Sequence, residues 1–281
     1  MAQQDALNVY ASLTGTTTKA KLKEAYGGLI ESIQKNALST QLKNVRYSGD
    51  PQAGSVKVSR FVNSKSQPYG TAREAGEGNP LRDLGVTVNV DTDREIIEEI
   101  ERKDIKFSPV EGVVANRVKD HDRTVIRELD TAFFAAITSE TGDAAVTLTV
   151  APLEEQLGEL IGTMEELSND FVDGVDRDLM TVTIKPSIYE RLRSKFDVHE
   201  GERGEEFYAY HGVRVFKNGR QTKVFILLVD GAVAQPVTMD EYAPARIPLS
   251  NAAAVELFYS YGTKVIAKDL VLHANAVAEE V

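Results

Sequence analysis

Residues 108–140, SPVEGVVANRVKDHDRTVIRELDTAFFAAITSE, decide the fold because they predict one long helix with a clear start. Ser108 can cap the free backbone amides, Pro109 suits the first helical position, and Glu111 can reach back to complete a capping box. Apolar side chains then recur about every fourth residue, which is the spacing of a core-facing helix. This stripe consists of Val110, Val114, Val118, Val125, Leu129, Phe133 and Ile137. About 32 residues predict a rod of roughly 48 Å, longer than a compact small domain is wide.

The apolar stripe of this helix is interrupted once, where His121 and Asp122 turn it polar. A polar pair at that place interrupts the continuous apolar contact that a single core would need. We therefore expect a bend there, or a change of packing partner, as the rod passes from one layer to the next. A straight helix buried evenly along one core would contradict this expectation.

Composition sets wide limits on the function. The 281 residues allow one large domain or two smaller ones, and 42% hydrophobic with 27% charged residues is typical of a soluble globular protein. The net charge of −11 argues against a surface that coats nucleic acid generally, although it is compatible with a local basic face. The lack of cysteine excludes disulfides and thiolate metal sites. With no apolar run of about 18 residues and no signal-peptide pattern, we expect a cytoplasmic product without a membrane partner.

An extended arm is predicted between residues 44 and 90. Val56–Val62 and Val86–Val90 alternate apolar and polar residues, as half-buried strands do. The residues between them, 63–85, are rich in Gly, Ser, Pro, Arg and Glu and have too few apolar side chains for a core of their own. The pattern therefore indicates a long two-stranded arm that another subunit orders.

The segment that follows, residues 91–104, is strongly acidic. Its narrow apolar edge is Ile96, Ile97 and Ile100. A carboxylate metal cluster is one interpretation, but no His ligand or calcium-loop glycine accompanies the acids. We expect instead a solvated helix, or a face that pairs with basic residues of a partner.

The remaining chain alternates helices and strands, which predicts an α+β fold. Residues 1–18 are polar and form an arm or lead, and 19–38 have helical character. Further strands are predicted at 146–150, 179–184, 213–216, 224–229, an edge-like 233–239, and 252–273, with helices from 152 to 169 and from 187 onward.

The search for catalytic motifs yields little. Phosphate-binding and nucleophile-elbow motifs are absent from the sequence, so no catalytic residue or cofactor is predicted. His199 and His211, with Glu202, Glu205 and Glu206 between them, leave a metal-dependent enzyme as an alternative of another class. The simpler interpretation is a polar loop with two solvated histidines.

The order of these elements resembles the major capsid proteins of tailed bacteriophages with the Hong Kong 97-type fold. Ser55–Phe61 and Val86–Val90 look like the E-loop of that family, and 108–140 looks like its spine helix. Thr181–Pro186 followed by a short helix is similar to its axial-domain strand and helix, and Leu257–Thr263 resembles its late peripheral strand.

The resemblance implies an icosahedral shell of hexamers and pentamers around double-stranded DNA, assembled in the cytoplasm of a bacterial host as part of a virion. It implies an N-terminal arm at 1–45, an E-loop at 46–90, a peripheral domain from 91–145 and 240–281, and an axial domain at 146–239. The short N-terminal arm implies a separate scaffolding protein, and the family implies portal and head-completion partners. An encapsulin-type nanocompartment and a tail or tube protein are the alternatives.

Inter-subunit contacts follow from charge complementarity. We predict that cations of the arm face an acidic segment of a neighbouring copy. The predicted cations are Arg60, Lys65, Arg73 and Arg82. The predicted acidic partners are Glu95, Glu98, Glu99 and Glu101.

Overall fold

The computed structural model describes residues 11, 13–62, 69, 83–101, 110–142, 145–200, 206–247 and 252–277. In this part of the chain, helices α1 to α5 span Thr16–Asn36, Leu38–Leu42, Val110–Glu140, Leu153–Glu165 and Pro186–Leu192. Strands β1 to β7 span Ser55–Phe61, Asp83–Asn89, Thr92–Glu101, Met180–Ile184, Asp197–Glu200, Glu206–Tyr210 and Val213–Lys217. Strands β8 to β14 span Phe225–Val229, Val233–Ala234, Val237–Met239, Ala243–Arg246, Ala252–Tyr261, Lys264–Val265 and Val271–Ala274. The α+β class is confirmed, and none of the described helices is both long and apolar enough to cross a membrane.

The long helix α3 is confirmed, at 31 residues and about 46 Å. The capping residues Ser108 and Pro109 lie outside the described residues. The helix contacts two cores in succession. Its middle, around Leu129, packs into the cluster beneath the first sheet, whereas Phe133 and Ile137 belong to a second cluster. The predicted change of packing partner therefore occurs, but after Leu129 rather than at His121.

The polar break in the stripe has a different role. His121 is only 3% exposed, with Nδ1 2.9 Å from the hydroxyl of Tyr242 and Nε2 2.9 Å from Glu98. Beside it, Asp122 accepts a 2.7 Å hydrogen bond from Ser32 of α1. Both polar residues thus fasten neighbouring elements to the helix, and the helix runs through them without interruption.

The first sheet is antiparallel, with strand order β10-β12-β11 and β3 paired along the other side of β12. Helices α1 and α3 pack on its inner face. The alternation predicted late in the chain is confirmed, because Val255, Leu257 and Tyr259 all point into this core.

The acidic segment is a strand, so the expected solvated helix is wrong. Thr92–Glu101 pairs with β12 over all ten of its residues. Branched Ile96 and Ile100 on its inner side pack into the core, as suits a pleated, half-buried surface. Long-range pairing therefore overrides the charge pattern that suggested a solvated helix.

The second sheet has six strands in the order β14-β8-β4-β7-β6-β5, of which β4 and β7 run parallel. As its apolar run predicts, β8 is buried on both faces: Phe225 lies in one core cluster and Ile226 in another. Strand β14, Val271–Ala274, completes this sheet beside β8, although the sequence places it with the peripheral residues 240–281.

Two smaller strand predictions need correction. Residues 146–150 form no strand; only a single bridge joins Ala145 to His273. The segment 233–239 is two short strands, β9 and β10, because Gln235 and Pro236 separate them and proline cannot donate to a ladder.

The two arm strands pair as predicted, antiparallel from Ser55 opposite Asn89 to Phe61 opposite Asp83. The base of this hairpin touches the turn after β12. A Cβ on Gly262 would lie 1.7 Å from the carbonyl oxygen of Asn89, so only glycine permits this approach.

Candidate functional site

The described chain offers surfaces rather than a catalytic site. No group of three or more His, Cys, Asp or Glu side chains within the described ranges could hold a metal ion. His211 occupies a tight turn at φ 49°, and its carbonyl accepts a hydrogen bond from Arg177. His199 lies on β5, and Glu202 and Glu205 lie outside the described residues. The described residues therefore give no support to the metal-dependent enzyme.

The outer face of the first sheet combines carboxylates with exposed apolar side chains. We define the acidic sheet face as Glu95, Ile97, Glu99, Glu256 and Phe258. Ile97 is 54% exposed and Phe258 37% exposed, although both are large apolar side chains. In the β3/β12 ladder Ile97 lies opposite Glu256, and Glu95 lies opposite Phe258. Carboxylates thus surround a small apolar centre.

The pleat of β3 decides which predicted acids reach this face. Glu95 and Glu99 are exposed on its outer side, and no described residue forms an ion pair with either. Glu98 points inward, where its carboxylate lies 2.9 Å from His121 and 3.1 Å from Arg117. Burial opposes ionisation of Glu98, but the hydrogen bonds from His121 and Arg117 hold its pKa below the ordinary value. Glu101 is partly exposed at the end of the strand.

A cluster of charged hydrogen bonds ties the inner side of the same sheet to α3. Glu128 accepts bonds from Arg94 at 2.6 Å, from Tyr259 at 2.6 Å and from Tyr261 at 3.1 Å. Burial and the neighbouring Glu128 carboxylate raise the pKa of both tyrosines, which stay protonated donors. These hydrogen bonds fasten the first sheet to α3. The acidic sheet face therefore lies on a sheet that is held in place from its inner side.

Of the predicted arm cations, Arg60 alone is described; Lys65, Arg73 and Arg82 lie outside the described residues. Arg60 forms two 2.6 Å hydrogen bonds to Asp269 of its own chain and stacks 4.2 Å from the ring of Phe171. Burial opposes ionisation of Asp269, but bonds from Arg60 and Asn169 lower its pKa overall. Arg60 thus anchors the base of the arm within its subunit.

The structure places Glu95 and Glu99 on the outer face of the sheet, Glu98 on its inner side and Arg60 against Asp269. The sequence indicated one apolar edge for Ile96, Ile97 and Ile100, whereas Ile97 points outward, and it did not single out Glu256 and Phe258. Alternation within the two strands carries the signal for these residues, since every second residue of a strand shares one face. That signal becomes visible only when residues 92–101 are recognised as a strand.

No family model matches the sequence, and no curated protein matches it either. Solved structures do match. The capsid structure of the cyanophage P-SCSP1u is 12% identical and covers 86% of this chain and 88% of its own, with a TM-score of 0.60. The capsid of Ralstonia phage GP4 is 16% identical, covers 81% of this chain and 84% of its own, and has a TM-score of 0.59. The SrpI encapsulin of Synechococcus elongatus PCC 7942 is 11% identical. It covers 82% of this chain and 84% of its own, with a TM-score of 0.54.

These likenesses show the fold, which is the one that these phage capsid and encapsulin structures have. The resemblance to the major capsid proteins of tailed phages is confirmed at the level of the fold, over most of the chain. Encapsulins share this fold, so it is common to both kinds of shell.

Proposed function

We propose that this chain is a major capsid protein that self-assembles into the icosahedral head shell of a tailed phage or prophage, around double-stranded DNA. The observation that carries the proposal is the match of the whole α+β architecture to phage capsid structures over more than four fifths of the chain. One further feature supports it: the strands β1 and β2 pair into the two-stranded hairpin of an arm.

In this proposal the paired strands β1 and β2 are the root of the E-loop, and α3 is the spine helix. Residues 1–45 form the N-terminal arm. The peripheral domain contains α3 and the first sheet, and the axial domain is built from residues 146–239 with β14 added to its sheet. Subunits form hexamers and pentamers with the help of a separate scaffold, and portal and head-completion proteins finish the virion.

The arm is proposed to reach a neighbouring copy. Lys65, Arg73 and Arg82 of the arm would meet the acidic sheet face, where Glu95 and Glu99 have no ion-pair partner among the described residues. The exposed Ile97 and Phe258 add the apolar centre that protein interfaces use as an anchor.

Electron microscopy of the expressed full chain tests the function. We expect closed particles some tens of nanometres wide, formed with a scaffold if one is required. Tubes would favour the tail or tube protein, and a persistent monomer under all conditions would contradict the proposal.

An encapsulin-type nanocompartment is the second candidate, favoured by the encapsulin match. The contents of the particles separate the two. After nuclease treatment of the particles, protected double-stranded DNA supports the phage capsid, whereas a co-purifying enzyme without DNA supports the nanocompartment.

A further inference from the structure

The outward side of α3 carries three cations in one row. Lys119, Arg123 and Arg127 are all exposed and follow each other at four-residue intervals, which places them along one side of the helix over roughly 12 Å. Within the described ranges no carboxylate forms an ion pair with any of the three. We call these three residues the basic helix face.

Most other charges of this helix have local partners. Arg117 pairs with Glu98 at 3.1 Å and with Asp120 at 3.3 Å. Glu128 pairs with Arg94, and buried Asp130 with Arg220. Asp122 and Glu140 form no described ion pair, but each accepts a hydrogen bond, from the Ser32 hydroxyl and from the Val265 backbone amide respectively. The basic helix face therefore holds three α3 cations without a carboxylate partner among the described residues, in a chain whose net charge is −11.

The row ends at a polar hollow between the corner of α1 and α2 and the turn after β7. Its lining includes N–H donors from Arg127, Lys217, Arg220, Asn218 and Gln41, and it also includes Asp130, Leu38 and Phe216. Lys217 and Arg220 are paired with Glu190 and Asp130, so the hollow adds donors more than net charge.

The basic helix face lacks an apolar anchor. Asp120, Thr124 and Thr131 are exposed beside the row, and no large apolar side chain of α3 from 117 to 140 is exposed. Protein interfaces take most of their binding energy from buried aromatic and aliphatic anchors. A nucleic-acid backbone requires only positioned cations and donors. The chemistry of the row thus fits phosphates and not an acidic protein.

We infer that the basic helix face binds the phosphate backbone of the enclosed double-stranded DNA, without reading its base sequence. This inference rests on the proposed function, and it assigns the DNA-facing side of the subunit to the helix layer. Three neutralised phosphates imply a salt-dependence slope of about −2.7 for each bound subunit.

The test uses the full chain below the concentration at which it assembles and a fluorescent duplex of about 30 base pairs with mixed sequence. Binding is measured by anisotropy between about 50 and 200 mM salt, the range over which three phosphate contacts cost roughly 40-fold in affinity. We expect Lys119→Gln/Arg123→Gln/Arg127→Gln to bind at least tenfold more weakly at low salt and to lose most of the salt dependence.

A matched control removes the same charge elsewhere. Arg46→Gln/Arg191→Gln/Lys268→Gln changes three exposed cations that lie on three separate segments and have no described ion-pair partner. We expect this control to weaken binding less than threefold. Equal losses in the two variants would show that net charge alone acts, and would overturn the inference.

A charge-conserving variant guards against misfolding. Lys119→Arg/Arg123→Lys/Arg127→Lys should bind the duplex within about twofold of the unmodified chain and melt at the same temperature. Lost binding in this variant would contradict a backbone contact that depends on charge. Preferential binding of an acidic polypeptide over the duplex would likewise overturn the assignment to DNA.

Microscopy keeps this inference separate from the proposed function. The triple glutamine variant should still form shells, but with less protected DNA in each. If the unmodified chain forms shells and yet binds the duplex no better than the variant, the inference fails while the proposed function stands. If no shells form at all, the proposed function fails whatever the duplex measurement shows.

Discussion

The helix layer and the sheet of the same domain present opposite surfaces to their surroundings. The basic helix face has three cations without an ion-pair partner among the described residues, whereas the acidic sheet face has carboxylates around exposed Ile97 and Phe258. The two layers thus carry two kinds of surface, one suited to a charged polymer and one suited to a protein. A shell needs both, because each subunit contacts its neighbours and its contents at once.

The largest expected effect comes from reversing the charge of the acidic sheet face. Glu95→Arg/Glu99→Arg should raise the concentration needed for assembly at least 100-fold, because arm cations would then meet like charge. Light scattering measures this concentration. The matched control is Glu24→Arg/Glu31→Arg on α1, which should assemble normally.

Adding Arg73→Glu/Arg82→Glu to the inverted sheet face should restore part of the assembly. Arg73→Glu/Arg82→Glu alone should impair it while leaving the monomer folded. Normal shells from either double variant alone would rule out the proposed contact between the arm and the acidic sheet face.

The next effect concerns the hydrogen bonds of Glu128, which hold the first sheet on α3. Glu128→Gln removes the charge that Arg94, Tyr259 and Tyr261 share, and should lower the free energy of unfolding by about 2 kcal/mol. Urea denaturation measures this change. Glu31→Gln, on the exposed side of α1, should change it by less than about 0.5 kcal/mol. Comparable losses of unfolding free energy in the two variants would contradict a stabilising role for the Glu128 hydrogen bonds.

A smaller effect is expected from the apolar centre of the sheet face. Ile97→Ser should weaken assembly about fivefold, since an interface that covers the exposed half of this side chain gains about 1 kcal/mol. Thr124→Ser, on the helix side, serves as the control. If the Ile97 variant assembles like the control, no neighbouring copy covers the apolar centre of the acidic sheet face in the shell.

The smallest effect comes from a buried histidine in mild acid. His273 is 2% exposed, its Nε2 donates to the carbonyl of Thr141, and burial lowers its pKa. A lowered histidine pKa means that the unfolded chain binds the proton first, so stability falls as pH drops below about 6.5 and through the depressed pKa.

His273→Gln should remove this pH-dependent loss of unfolding free energy, which amounts to about 1 kcal/mol or less. Urea unfolding at several pH values measures it. A stability of the unmodified chain that does not change as the pH drops below about 6.5 would contradict this role of His273.

Local periodicity explains what the sequence predicts well. Helix α3 and strand β8 carry their patterns within their own residues, so both are recognisable before any partner is known. Strand β3 depends on β12, far away in the chain, and its charges resemble those of a solvated helix. Its state is set by long-range pairing, which single-sequence patterns do not carry.

The candidate surfaces divide in the same way. Glu95 and Glu99 stand out by charge alone, but Ile97 and Phe258 become neighbours only through the ladder. The cations of α3 are interspersed with acids in the sequence. Only the structure shows that Arg117 pairs with Glu98 and Asp120, whereas no described carboxylate pairs with Lys119 and its row.

The anchored base of the hairpin has a consequence for the cost of association. Arg60 binds Asp269 through two hydrogen bonds, Phe171 covers the guanidinium, and Gly262 lets the hairpin sit close against the turn after β12. The direction of strands β1 and β2 is therefore fixed by contacts within their own chain. In the proposed shell, a hairpin with a fixed direction would lose less conformational freedom on meeting a neighbouring copy, so more of its interaction energy would remain as affinity.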